Sequence, residues 1–151
     1  MAFPFVEENN LSRARLQAVA ARLSDDDLAL SSPYGWTIAA LFAHLAWWDQ
    51  RVLLLLQRWK EKGVDESPVD SQAVNDALKP LCHAIEPRRA IELCLASAKA
   101  LDAELETIPP DLVARIEATA TQFRFNRALH RNGHLDDIDL LLPPREGSGG
   151  A

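Results

Sequence analysis

Apolar residues recur at alternating spacings of three and four positions along the segment from Ile38 to Trp59. This spacing places them on one stripe of a helix, and such a stripe is the seam of an antiparallel bundle helix. Thr37 is a good N-cap for the helix, and Gly63 is a good residue to end it. Further apolar residues beside the stripe predict a central helix that is covered on more than one side; they are Phe42, Trp47, Leu53 and Leu56.

The rest of the chain also has helical periodicity, since no segment alternates with period two for long. Besides the segment 37–62, helices are predicted at about 7–23, 72–81, 87–106, 111–118 and 121–142. Four long antiparallel helices with short additional helices make an all-α four-helix bundle. We therefore expect one domain over residues 1–142 and a flexible tail over residues 143–151. The predicted buried stripe of the first helix is Leu11, Leu16, Val19, Ala20 and Leu23.

The charge balance of the chain excludes several functional classes. With a net charge of −6 and a pI near 5.2, it lacks the basic stripe that binds phosphates, so we expect no nucleic-acid partner. Apolar runs such as Val52–Leu56 are far too short to span a membrane, and the N-terminus has no signal-peptide pattern. We expect a soluble cytoplasmic protein whose cysteines, Cys82 and Cys94, are reduced and partly buried.

Three histidines form the most distinctive chemical pattern in the sequence. His130 and His134 stand four apart, so a helix places both imidazoles on one face, and His44 lies in the apolar segment after Thr37. A lone histidine on an apolar face is usually a satisfied core residue, and the late pair lacks the glutamate of a metalloprotease motif. Gathered by a bundle, however, three neutral imidazoles would leave a fourth position open on a divalent metal, as in catalytic sites.

Two charged residues share a side of the last predicted helix with His130 and His134. They are Arg127 and Asp137, each about one turn from a histidine. Asp137 could accept the second ring proton of a metal-bound imidazole, or it could be a solvated charge like the neighbouring aspartates. Gly133 is either tolerated in the helix or marks a close approach of another helix or a ligand.

The run Gly35-Trp36-Thr37-Ile38 leads into Leu41-Phe42-Ala43-His44-Leu45-Ala46-Trp47-Trp48-Asp49, and a His-x-x-x-His follows late in the chain. With these motifs the sequence resembles the DinB-like superfamily, from its first helix to Leu141. That group includes proteins similar to the bacillithiol- and mycothiol-dependent transferases and the maleylpyruvate isomerase N-terminal domain. The resemblance implies a four-helix bundle, often dimeric, with a divalent metal held by one histidine of the second long helix and two of the last. By position these are His44, His130 and His134.

The resemblance also implies metal-assisted chemistry on a small molecule. A metal with an open position can acidify water or hold a thiolate, so hydrolysis and transfer of a low-molecular-weight thiol are both expected candidates. Zinc or nickel suits such a site, and Arg127 could steady an acidic group of the thiol. No catalytic residue is assigned, and Asp49 and Asp137 are candidates for a general base. The alternative is a non-catalytic bundle that binds a small molecule or acts as a dimerisation module. A homodimer is expected in either case.

Overall fold

The computed structural model describes residues 2–144 and contains only helices as regular secondary structure in that range. The prediction of an all-α fold is therefore confirmed. None of the described helices combines the length and the apolar character needed to cross a membrane. The helices are α1 (Pro4–Arg22), α2 (Asp25–Leu28), α3 (Ile38–Lys62), α4 (Ser71–His83), α5 (Pro87–Glu106), α6 (Pro110–Thr119) and α7 (Ala128–Leu141).

Helix α3 has the bounds that its sequence predicts. The Oγ1 atom of Thr37 accepts a hydrogen bond from the backbone N–H of Ala40 at 3.1 Å, which caps the first turn. Gly63 follows the last turn with φ of 84°, a conformation that favours glycine. Every residue from Ile38 to Ala46 is buried. The first half of α3 is thus covered on all sides, as its broad apolar face predicts.

The long helices surround α3 and enclose two clusters of buried side chains. Helix α3 packs along α5 and also contacts α4 and α7, while α1 packs against α5 and α7. The first cluster joins the first half of α3 to α1, α4, α5 and α7. The second joins the remaining half of α3 to the end of α5 and to α6. The first cluster fixes α7 against α3, and these are the two helices that carry the predicted histidine site.

The last helix begins at Ala128 rather than at position 121, which corrects its predicted start. Asn9 of α1 supplies the physical reason. Its Oδ1 accepts hydrogen bonds from the backbone N–H groups of Arg127 at 2.7 Å and Ala128 at 3.2 Å. Its Nδ2 donates to the carbonyl oxygen of Phe125 at 2.8 Å. A distant side chain therefore satisfies the backbone groups at the start of α7, and the segment before it need not be helical.

Four of the five residues in the predicted stripe of α1 are buried, but Leu11 is not. Leu11 is 65% exposed, whereas Asn9 and Ser12 are 1% and 2% exposed. The buried face includes these polar residues because both form hydrogen bonds with other parts of the chain. Apolar periodicity alone therefore assigned Leu11 to the wrong side of the helix. The other members of the predicted stripe are buried, namely Leu16, Val19, Ala20 and Leu23.

Two other helix ends differ from the prediction by a few residues. Helix α1 already begins at Pro4, and α4 continues past Pro80 to His83. Leu78 and Cys82 are buried on either side of Pro80, and this packing holds the last turn of α4 in place.

The two cysteines lie outside the group of three histidines. Cys82 and Cys94 are buried free thiols, and burial raises the pKa of both. Neither is therefore poised as a nucleophile, because the thiolate is the reactive form. Pro143 and Pro144 are exposed, and the remainder of the predicted tail, residues 145–151, lies outside the described residues.

Candidate metal centre

The structure brings the three predicted histidines together where α3 meets α7. The ring centroid of His44 lies 5.2 Å from that of His130 and 4.8 Å from that of His134. The centroids of His130 and His134 are 4.9 Å apart, as expected for residues one turn apart on a helix. One ring nitrogen from each histidine lies within 4.8 Å of the other two. The three side chains form a group that could hold a metal ion.

Burial keeps these imidazoles neutral. His44 is 5% exposed, and burial followed by the charge of His134 lowers its pKa to about 4. Burial also lowers the pKa of His130 to about 2, helped by its histidine neighbours and by Arg127. For His134 burial lowers the pKa, while the carboxylate of Asp137 acts in the opposite direction. At neutral pH each ring therefore keeps a lone pair, and neutral imidazole is the form that binds metals.

The hydrogen bonds within the cluster leave two ring nitrogens unsatisfied. The Nε2 atoms of His44 and His130 are 3.2 Å apart, so one of them donates and the other accepts. Nη2 of Arg127 lies 3.5 Å from Nδ1 of His130, and a guanidinium can only donate. The Nδ1 atoms of His44 and His134 are buried and have no described partner.

One nitrogen–nitrogen separation in the cluster matches that of a tetrahedral metal site. Two nitrogens bound to one metal at about 2.0–2.1 Å would lie about 3.3–3.4 Å apart at tetrahedral angles. The separation of 3.2 Å between the Nε2 atoms of His44 and His130 is close to this value. Metal-bound histidines usually donate their second ring proton to a carboxylate or carbonyl oxygen. No described protein oxygen takes this role for His44 or His134.

Aromatic side chains pack around His44 and fix its ring. Trp36 and Trp48 both meet the imidazole edge-on, with ring centroids 5.2 Å and 6.4 Å from that of His44. His83 is separate from the cluster and holds the start of α3. Its Nε2 accepts from the backbone N–H of Thr37 at 3.2 Å, and its Nδ1 donates to the carbonyl oxygen of Lys79 at 2.7 Å. These two bonds give His83 a structural role.

The histidines form part of the wall of a cavity of about 560 Å³. This volume lies within the range of small-molecule sites, which is about 300–1,000 Å³. The loop before α3, one residue of α4 and the second half of α7 supply most of the remaining wall. The lining residues that matter for its chemistry are Tyr34, Trp36, Leu41, Asn75, Asp137 and Leu140.

A buried network of ion pairs beside His130 was missed by the sequence analysis. Asp49 of α3 accepts from Nε of Arg127 at 3.0 Å and from Nη2 of Arg131 at 2.9 Å. Arg131 also donates to both carboxylate oxygens of Asp102 on α5, at 3.0 and 2.9 Å. Arg131, Asp49 and Asp102 are 0%, 1% and 3% exposed. The network ties α7 to α3 and α5, and through Arg127 it reaches His130.

This network changes the roles available to Asp49 and Arg127. Asp49 was a candidate general base, but it is held between two guanidinium groups and does not line the cavity. Its carboxylate oxygens accept from these guanidinium groups and are not presented to a ligand in the cavity. Two sequence signals could have indicated the network: an aspartate at the edge of an apolar helix face, and two arginines one turn apart.

The acidic residues of α7 divide between two sides of the helix. Asp136 and Asp139 form surface ion pairs with Arg15 of α1, so they are paired as well as solvated. Asp137 lines the cavity and makes no hydrogen bond to an imidazole within residues 2–144. A Cβ atom at Gly133 would meet no heavy atom from another part of residues 2–144 within 4 Å, so no close approach there requires glycine.

One comparison with known proteins identifies a related family. A family model described as the DinB superfamily matches residues 9–134, which include His44, His130 and His134. No curated protein and no solved structure matches the chain.

Proposed function

The chain belongs to the DinB superfamily, and from this premise we propose that it is a metal-binding protein of that family. His44, His130 and His134 would supply three neutral nitrogen ligands to one divalent transition metal, with zinc and nickel as the favoured ions. The observation that carries the proposal is the convergence of three imidazoles, one buried and two half-buried, at the wall of a cavity. One ring nitrogen of each histidine lies within 4.8 Å of the other two, so a single cation could bind all three.

We propose that the site works as a metal-dependent transferase of a low-molecular-weight thiol or as a hydrolase. A metal with an open position would supply Lewis acidity, which favours the ionised form of a bound thiol or water. The chain itself contributes a partly apolar cavity beside the histidines, where a small molecule would be partly shielded from water. This adjoining cavity favours an enzyme over a non-catalytic bundle.

The surrounding charges narrow the roles of individual residues in this proposal. Arg127 is 7% exposed and bound to Asp49, and it does not line the cavity, so it is not available to bind an acidic group of a thiol. Asp137 is the carboxylate that lines the cavity, and it remains the candidate for a general base. Arg127 thus contacts the proposed ligand His130 from the buried network, whereas Asp137 faces the cavity.

We propose that α1, α3, α5 and α7 form an antiparallel four-helix bundle, which their mutual packing supports. We further propose a homodimer located in the cytoplasm. Trp47 and Leu54 lie two turns apart on one face of α3 and are 36% and 51% exposed, so a second copy could cover them.

Cobalt(II) provides a test of the open coordination position. We expect the cobalt-loaded protein to develop a sulfur-to-cobalt charge-transfer band in the near ultraviolet when 2-mercaptoethanol is added, because a thiolate can occupy the open position. Removing the metal with a chelator should abolish the band. Cobalt bound by the protein without any band in the presence of thiol would contradict the proposed transferase or hydrolase site.

A further inference from the structure

Most of the wall surface of the cavity beside the histidines is apolar, although Ser32, Asn75 and Asp137 also line it. Trp36 and Tyr34 line it on the side of the loop before α3, and Leu140 lines it from α7. Tyr34 and Leu140 are 82% and 85% exposed, so they lie where the cavity opens to solvent. A molecule that fills this space therefore has an apolar body, because only such a body gains by covering these side chains.

Within the described residues, Asp137 is the carboxylate that lines the cavity, and no lysine or arginine lines it. Asp137 forms no ion pair with any residue in the range 2–144, in contrast to Asp136 and Asp139 on the same helix. Its carboxylate is thus free to pair with a ligand.

The nearest described cations are committed elsewhere. The ammonium group of Lys79 donates to the carbonyl oxygen of Tyr34 at 2.6 Å and lies 5.9 Å from the ring centroid of Trp36. The guanidinium of Arg127 is buried against Asp49. Neither residue lines the cavity. Away from the proposed metal ion, an anionic group would meet Asp137, and no lysine or arginine lines the cavity to offset that repulsion.

From these contacts we propose that the cavity selects small molecules that combine an apolar body with a protonated amine, and that Asp137 is the residue that selects the amine. The aromatic faces of Tyr34 and Trp36 add to this preference, because aromatic rings attract organic cations. The assignment of this molecule as a substrate rests on the proposed function, whereas its binding to the cavity does not. The preference is opposite to the acidic thiol that the sequence suggested.

Three matched benzenethiols test the proposal, with an aminomethyl, a hydroxymethyl or a carboxylate group in the para position. Their affinities are measured at pH 7 by calorimetry on the metal-free protein and by the charge-transfer band of the cobalt-loaded protein. We expect the aminomethyl compound to bind about three- to tenfold more tightly than the hydroxymethyl compound, and the carboxylate to bind most weakly. The size of this effect follows from a partly solvated ion pair.

In the variant Asp137→Asn, the aminomethyl and hydroxymethyl compounds should bind with about equal affinity. Asp136→Asn is the matched control, because Asp136 is on the same helix but outside the cavity and should leave the preference unchanged. Equal or tighter binding of the carboxylate, or no binding of any probe in either form of the protein, would overturn the proposal. An amine preference in the metal-free protein without a charge-transfer band in the cobalt-loaded protein would support it while contradicting the proposed function.

Discussion

Replacing Asp49 with alanine is expected to lower the free energy of unfolding by about 3–5 kcal/mol. Asp49 is 1% exposed and accepts hydrogen bonds from Arg127 and Arg131, which are themselves buried. Its loss leaves Arg127 without its charged partner and Arg131 with Asp102 alone. A buried charge without a partner costs far more than the intact pair contributes to stability, because both charges lost their hydration on folding. Urea unfolding followed by circular dichroism measures this difference.

The matched control for this variant is Asp139→Ala. Asp139 also pairs with arginine, but its side chain is 41% exposed and the pairs lie on the surface between α1 and α7. Exposed ion pairs contribute about 0–1 kcal/mol, because water already solvates both charges. We therefore expect Asp139→Ala to change stability by less than about 1 kcal/mol. Equal losses in the two variants would show that burial of the network does not matter, and would refute this account of how α7 is held.

Replacing His130 with alanine is expected to weaken binding of zinc by more than about a hundredfold. Loss of a group that only supports a metal ligand typically costs 10–100-fold in affinity, and loss of a ligand should cost more. The Nε2 atom of His130 lies 3.2 Å from Nε2 of His44. Removing His130 therefore removes one of the two nitrogens whose separation matches a tetrahedral site. Competition between the metal-free protein and a chromophoric chelator measures the affinity.

The control for the histidine variant is His83→Ala. His83 hydrogen-bonds to Thr37 and Lys79 and takes no part in the group of three histidines. Its replacement removes an imidazole near the site while leaving the proposed ligands in place, so zinc affinity should stay within about threefold of the parent. Similar weakening in both variants would indicate non-specific binding by histidine. Circular dichroism of both variants checks that the helices remain folded.

Local sequence patterns sufficed for α3 and for the histidines. The cap at Thr37, the glycine at position 63 and the apolar stripe between them are all short-range signals, so they defined α3 correctly. The spacing of His130 and His134 fixed their common face, because one helix carries both. Their meeting with His44 required two helices to pack together, and the family resemblance supplied that pairing.

Features that depend on contacts between distant helices could not be predicted in the same way. The start of α7 is set by Asn9, whose side chain bonds to backbone groups more than a hundred positions away. The polar face of α1 is buried for the same reason, and the apolar pattern therefore misplaced Leu11. The pairing of Asp49 with Arg131 is invisible to periodicity, because each residue alone resembles a solvated charge. A pattern along one helix contains no information about the partner on another.

The metal content of the untagged protein shows whether His44, His130 and His134 bind one metal ion. After metal-free protein is incubated with zinc or nickel and freed of excess ion, elemental analysis is expected to find about one equivalent per chain. The same treatment of His44→Ala is expected to leave well under one equivalent, because His44 contributes one of the three proposed ligands. A parent protein without stoichiometric metal, or a His44→Ala variant that retains a full equivalent, would contradict the proposed metal site.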